Sequence, residues 1–187
     1  MNISKKKLAL QIVQHIASEL GAMQDLGDVD FNISRSDIQA NYRNWAQQTL
    51  TFITDAIDKD CVFVGQFDGS AKPNPGEMKI GGFIKNLKDM DKPLYSFSLD
   101  KGYGTNNRAE YMALIKLLEV AIERGVKRIN IYGDSNLAVQ QVNGKWKANK
   151  DMAPLRDQAI RLLKNFEHWS LSHVVRSLNA EADLLTR

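Results

Sequence analysis

Up to residue 60 the apolar positions recur three and four apart, whereas from residue 61 they fall into short runs separated by turn residues. That change of period divides the chain. Leu8, Ile12, Ile16 and Leu20 share one helical face within residues 4–21, and after a Gly/Asp-rich break at 25–30 a second face is made by Ile38, Tyr42, Trp45, Thr49, Ile53 and Ile57. Ser34 or Ser36 can cap the second helix by accepting from a free first-turn amide, and Asp55 to Asp60 reads as its acidic exit linker. The pattern predicts a helical N-terminal region, 1–60, followed by a separate domain, 61–187.

In the second region Cys61–Asp68, Lys79–Lys85 and Leu94–Leu99 are strand-like runs, with breaks at Pro73-Asn74-Pro75-Gly76 and from Lys88 to Pro93. They predict an antiparallel meander. Residues 106–124 place Ala109, Met112, Ala113, Leu117 and Val120 on one side of a helix that Gly125 ends, and Lys127–Tyr132 reads as a buried strand. Further helical patterns cover Ser135–Val142, Met152–Phe166 and Ala180–Leu185, with a fifth strand at Ser170–Val175. The fold class is α/β: a mixed five-stranded sheet, three antiparallel strands and then parallel ones, flanked by helices.

Composition narrows this only a little. With 187 residues, 43% hydrophobic and 25% charged, the chain suits a globular domain with an appendage. No apolar run approaches the roughly 20 residues of a membrane helix, and no signal-like segment opens the chain, so a cytoplasmic protein without a membrane role is expected. Cys61 is the one cysteine, which leaves no internal disulfide or cysteine zinc site to form. Charge is uneven: residues 1–60 carry 6 Lys/Arg against 8 Asp/Glu, and 61–187 carry 19 against 14. The second region is the better candidate for binding phosphates.

Four acids stand in separate contexts there: Phe67-Asp68-Gly69-Ser70, Arg108-Ala109-Glu110-Tyr111, Gly133-Asp134-Ser135-Asn136 and Glu181-Ala182-Asp183-Leu184. Each lies at a strand end or in a helix beside apolar residues, so folding can gather them, and gathered carboxylates need cations between them. Hard cations such as Mg²⁺ take oxygen ligands. Together with Asn74-Pro75-Gly76, Thr105-Asn106-Asn107 and Asn179-Ala180-Glu181, these motifs resemble type 1 ribonuclease H in order and spacing over about 61–187.

The resemblance implies an endoribonuclease that cuts the RNA strand of RNA/DNA hybrids and leaves 5′-phosphate and 3′-hydroxyl ends. It implies two Mg²⁺ ions, with Mn²⁺ as a substitute, held roughly 3.5 to 4 Å apart. Asp68 is expected to bridge them, with Glu110 and Asp134 on one side and Asp183 on the other. It further implies that Asn74, Asn106, Asn107 and Asn136 meet the minor groove of the hybrid, where an amide can recognise a ribose 2′-hydroxyl. Thr105 corresponds to a phosphate contact on the DNA strand, and Gly69 and Ser70 to backbone amides offered to the RNA.

Lys145, Trp146, Lys147 and Lys150 form a basic stretch that suits phosphates and a sugar or base, or else a solvated loop that Trp146 anchors to the core. The loop histidine of many family members is missing from Val174-Val175-Arg176-Ser177-Leu178-Asn179, a segment that reads as a short loop, and His173 is expected in the strand. A subset of the family has an arginine at the place of Arg176, where it can hold the scissile phosphate, assist the leaving group or serve as a surface cation. Four residues follow Asp183, so the last helix is expected to have little C-terminal support. Residues 1–60 lack the look of a hybrid-binding module and suit packing, a protein partner or self-association. A nuclease of the same fold with another substrate, or a non-catalytic hybrid-binding protein, is the alternative.

Overall fold

The computed structural model describes residues 63–87 and 89–187. The two expected N-terminal helices, their serine cap, the linker, the boundary near residue 60 and Cys61 lie outside the described residues. Five strands form one sheet: β1 Phe63–Lys72, β2 Gly76–Asn86, β3 Asp89–Gly104, β4 Arg128–Gly133 and β5 His168–His173. Their order is β3-β2-β1-β4-β5. β2 pairs antiparallel with β1 and β3, while β4 pairs parallel with β1 and β5. The mixed sheet expected from the sequence is present.

Four helices complete the domain: α1 Asn106–Glu123, α2 Asn136–Val142, α3 Ala153–Leu163 and α4 Ala180–Leu184. α1 supplies most of the helical share of the core, burying Ala109, Tyr111, Ala113, Leu114, Leu117, Leu118 and Val120. The stripe meets Phe67, Ile80, Ile84, Ile129 and Ile131 from the sheet. Burying such side chains contributes about 1.5–3 kcal/mol each, which fixes the helix over the central strand. Thr105 caps α1 through its hydroxyl, which accepts from Arg108 N at 3.3 Å, and Gly125 ends the helical segment at φ +69°.

The strands run further than the apolar pattern indicates. β1 continues through Asp68-Gly69-Ser70 to Lys72, so Asp68 sits in mid-strand rather than at its end. The break expected from Lys88 to Pro93 is largely taken up by β3, in which Pro93 pairs with Lys85 beside a register shift. β3 is at the edge of the sheet, where the amide that proline lacks need not bond to a neighbour. β5 begins two residues earlier than expected, and the segment read as a loop contains a 3₁₀ turn, Arg176–Asn179. His173 closes β5 and is exposed, in the strand as expected.

Candidate active site

Parallel pairing of β1 with β4 stops at Gln66↔Tyr132. Asp68 is two residues beyond Gln66 and Asp134 two residues beyond Tyr132, so the pleat sends both carboxylates to the same face at adjacent positions. Glu110 arrives from above. A Cβ on Gly69 would stand 2.2 Å from the Ala109 carbonyl carbon and 2.3 Å from Glu110 N, so the first turn of α1 crosses directly over this glycine. The close crossing sets Glu110 beside Asp68, where the Gly69 amide donates to its carboxylate. Asp68, Glu110 and Asp134 each offer an oxygen within 4.8 Å of the other two.

Asp183 is next to this trio but outside it. Arg176 Nη2 donates to one of its oxygens, and Arg187 donates to the other through Nε at 2.9 Å and Nη2 at 2.6 Å. The carboxylate is buried and both guanidinium groups are largely exposed. Thr186 ties the two sides together, its hydroxyl donating to Asp68 Oδ2. The expectation of a poorly supported last helix is corrected by three contacts just beyond α4. Ser70 Oγ donates to the Thr186 carbonyl at 2.9 Å, Ser98 Oγ to that of Leu185 at 2.6 Å and Lys79 Nζ to that of Arg187 at 2.7 Å.

Thr186 and Arg187 are structural parts of the site that the sequence did not point to, and Asn179, noted there only within a motif, is a third. Asn179 is fully buried, and its Nδ2 donates both to the Phe67 carbonyl at 2.9 Å and to Asp134 Oδ1 at 2.8 Å. It holds Asp134 against the strand that carries Asp68. A polar residue between Leu178 and Ala180 was the available signal.

The family model described as Reverse transcriptase-like matches residues 66–187. Ribonuclease HI of Halobacterium salinarum is 40% identical over 121 residues, which make up 64% of this chain and 59% of that protein. A crystal structure of RNase H1 from the same archaeon superposes with a TM-score of 0.63 at 37% identity, covering 66% of this chain and 93% of that one. The chain belongs to the type 1 ribonuclease H family. The N-terminal ribonuclease H domain of a Mycobacterium tuberculosis protein gives a TM-score of 0.64 at 32% identity, covering 66% of this chain and 89% of that one. The compost-derived LC11 ribonuclease H1, solved with an RNA/DNA hybrid, gives 0.61 at 30% identity, covering 66% of this chain and 93% of that one. The matched region spans 59% of the length of the Halobacterium ribonuclease HI and 32% of a curated mycobacterial relative.

The residues expected to contact substrate in this ribonuclease H domain fall into two places. Asn74 Oδ1 accepts from Asn106 N at 3.1 Å, and Asn106 Oδ1 from Ala71 N at 2.5 Å, so both amides pin the start of α1 to the β1–β2 turn. Thr105 and Asn107 are exposed beside them. Asn136, at the start of α2, accepts from Gln140 at 3.1 Å. Gly69 N lies against the Glu110 carboxylate, and the Ser70 hydroxyl donates to the Thr186 carbonyl. Lys145, Trp146 and Lys147 border a pocket of about 380 Å³ shared with Arg156 and Asp157. Trp146 is 49% exposed, so it is not the core anchor that was one reading of this stretch. Lys150 is exposed as well.

The donor set of the ribonuclease H site suits a divalent cation. Glu110 Oε2 is buried without a hydrogen-bond partner, and three carboxylates converge on one another. Desolvation, followed by the charges of Asp68 and Asp134, pushes the Glu110 carboxyl well above the usual glutamate range. Desolvation also raises Asp68, against the hydrogen bond from Thr186. At Asp183 desolvation is outweighed by hydrogen bonds from Arg187 and Arg176, which hold the carboxyl below its ordinary value.

These directions give a sign. A carboxyl whose folded pKa is raised contributes stability that is complete below its unfolded pKa and is lost as pH rises through the folded one. Metal-free Glu110→Gln is therefore expected to melt higher than the parent at neutral pH, and the difference should close as pH falls to the ordinary glutamate range. Melting curves in chelator across that window test it. A variant that melts at or below the parent at neutral pH would contradict the electrostatic account.

Proposed function

We propose that this domain hydrolyses the RNA strand of RNA/DNA hybrids, leaving 5′-phosphate and 3′-hydroxyl ends. The observation that carries the reading is the convergence of Asp68, Glu110 and Asp134 around a buried, unpartnered Glu110 oxygen. Asp183 stands one hydrogen-bonded step away through Thr186. On this reading Asp68, Glu110, Asp134 and Asp183 hold two Mg²⁺ ions, for which Mn²⁺ can substitute. When bound, such ions act as Lewis acids and ready a water for in-line attack on the phosphate.

The protein residues have separate tasks. Asn179 fixes Asp134, the Gly69 amide fixes one oxygen of Glu110, and the arginines hold Asp183 ionised until a cation replaces their charge. Arg176 has a largely exposed side chain, whose remaining N–H groups would donate to a phosphate oxygen of the bound duplex. Asn107, Asn74, Asn106 and Asn136 read the minor groove, with Thr105 on the DNA strand. The exposed Lys145, Trp146 and Lys147 follow the backbone further along the duplex. Cytoplasmic action, and a protein partner or self-association through residues 1–60, complete the reading.

A substrate panel tests it. The full chain, titrated with Mg²⁺ and separately with Mn²⁺, is expected to cut a labelled hybrid and to leave double- and single-stranded RNA of the same sequence nearly intact. Chelator should stop the reaction. Equal cleavage of the three substrates would overturn hybrid selectivity, and cleavage in chelator would overturn the metal-dependent mechanism.

A further inference from the structure

We propose that Thr186 is the positioning residue for the Asp68 carboxylate and thereby sets how tightly the site takes a divalent cation. The inference rests on the metal-dependent reading above. A threonine hydroxyl has one proton to give. Two acceptors lie within its reach, Asp68 Oδ2 and the Asp183 carbonyl oxygen at 3.0 Å, and the charged oxygen attracts it more strongly. The side chain is 3% exposed, so no solvent competes for that proton.

Thr186 is itself fixed from two directions. Its carbonyl accepts from Ser70 Oγ, a residue on the same strand as Asp68 and two positions beyond it. Its methyl group lies over Gly81, which is the cross-strand partner of Asp68. A Cβ on Gly81 would come within 3.0 Å of Thr186 Cγ2 and 2.6 Å of Leu185 Cβ, so the missing side chain is what lets this turn sit against the sheet. A β-branched side chain is restricted at χ1, and the setting found here aims the hydroxyl at Asp68. Because Thr186 stands two residues beyond α4 and its amide donates to the Asp183 carbonyl at 3.1 Å, the placement of Asp183 is relayed to Asp68 through a short path.

An oriented partner of a metal-ligating carboxylate typically changes cation affinity or activity by about 10–100-fold when removed. Thr186→Val keeps the shape and deletes the proton. In calorimetric titration of the full chain with Mn²⁺, and again with Mg²⁺, it is expected to weaken cation binding about tenfold or more. The metal midpoint of hybrid cleavage should move by the same factor, with the KM for hybrid at saturating metal unchanged. Thr186→Ser retains the hydroxyl and should bring both values back to near those of the parent.

A residue that only packs would lower the melting temperature of Thr186→Val and leave cation affinity alone. That result, or a serine variant as weak as the valine one, overturns the proposal. If Thr186→Val does not fold, Thr186→Ala set against Thr186→Ser carries the same comparison. A parent protein that binds no cation would defeat the metal-dependent reading, and this inference with it. A parent that binds beside a valine variant that binds equally well defeats this inference alone.

Discussion

Asp68→Asn is expected to remove cleavage of an RNA/DNA hybrid in Mg²⁺ or Mn²⁺ while the folded protein persists. Asp68 is buried on the central strand between Glu110 and Asp134, and it is the acid that Thr186 reaches from the far side. Asparagine has nearly the same shape, so the Phe67 core contact and the β1–β2 register are undisturbed. What disappears is the negative charge that the cation needs. Removal of one preorganised electrostatic group from an active site costs on the order of 10²–10³ in rate. On the proposed two-ion reading Asp68 serves both ions, and its loss should cost at least that much. Single-turnover cleavage set beside a melting curve separates the two effects. Intact activity would remove Asp68 from the site, and lost activity together with a collapsed melting transition would reduce the result to misfolding.

Gly69→Ala is expected to do damage of another kind. The added methyl would meet main-chain atoms of Ala109 and Glu110 at 2.2–2.6 Å, and no side-chain rotation relieves contact with backbone. Either α1 lifts from the sheet or β1 bends. Overpacking of this sort costs about 1–3 kcal/mol, occasionally more, and the same shift carries Glu110 away from Asp68 and Asp134. Since misplacement by about 1 Å can cost roughly 10²-fold in rate, stability and cleavage should fall together. Gly125→Ala is the contrast. Gly125 has φ +69° and open space at its Cβ, so alanine there costs about 1–2 kcal/mol of backbone strain and leaves cleavage unchanged. Equal effects of the two substitutions on activity would refute the close-crossing argument.

How much of this was legible in the chain depends on the distance over which each residue acts. The apolar periods of α1 and β4 are local and gave those elements within a residue or two. The convergence of Asp68, Glu110 and Asp134 was legible because each stands in its own short motif, and Asp183, from a fourth motif, ends beside the trio. Thr186 was not, because its meaning comes from Asp68, 118 positions earlier, and nothing in Leu184-Leu185-Thr186 announces that contact. The same holds for Asn179, whose partners are Phe67 and Asp134. β3 was misjudged for a different reason. Its Pro93 is a turn signal in isolation and becomes tolerable only at a sheet edge, and strand order is a property of the whole sheet.

The short ladder between β1 and β4 amounts to a parity condition on the chemistry. Among the described residues four pairs, Phe63–Gln66 against Ile129–Tyr132, define the alignment, and both acids inherit their facing from it. Successive strand residues face opposite ways, so an odd offset between these strands would turn Asp134 to the reverse side of the sheet, while the apolar contacts of Ile129 and Ile131 would exchange places with those of their neighbours. The interior and the reaction thus enforce one alignment. Strand pairing that satisfies hydrophobic burial selects, by the same count of residues, the frame in which two carboxylates can share a cation.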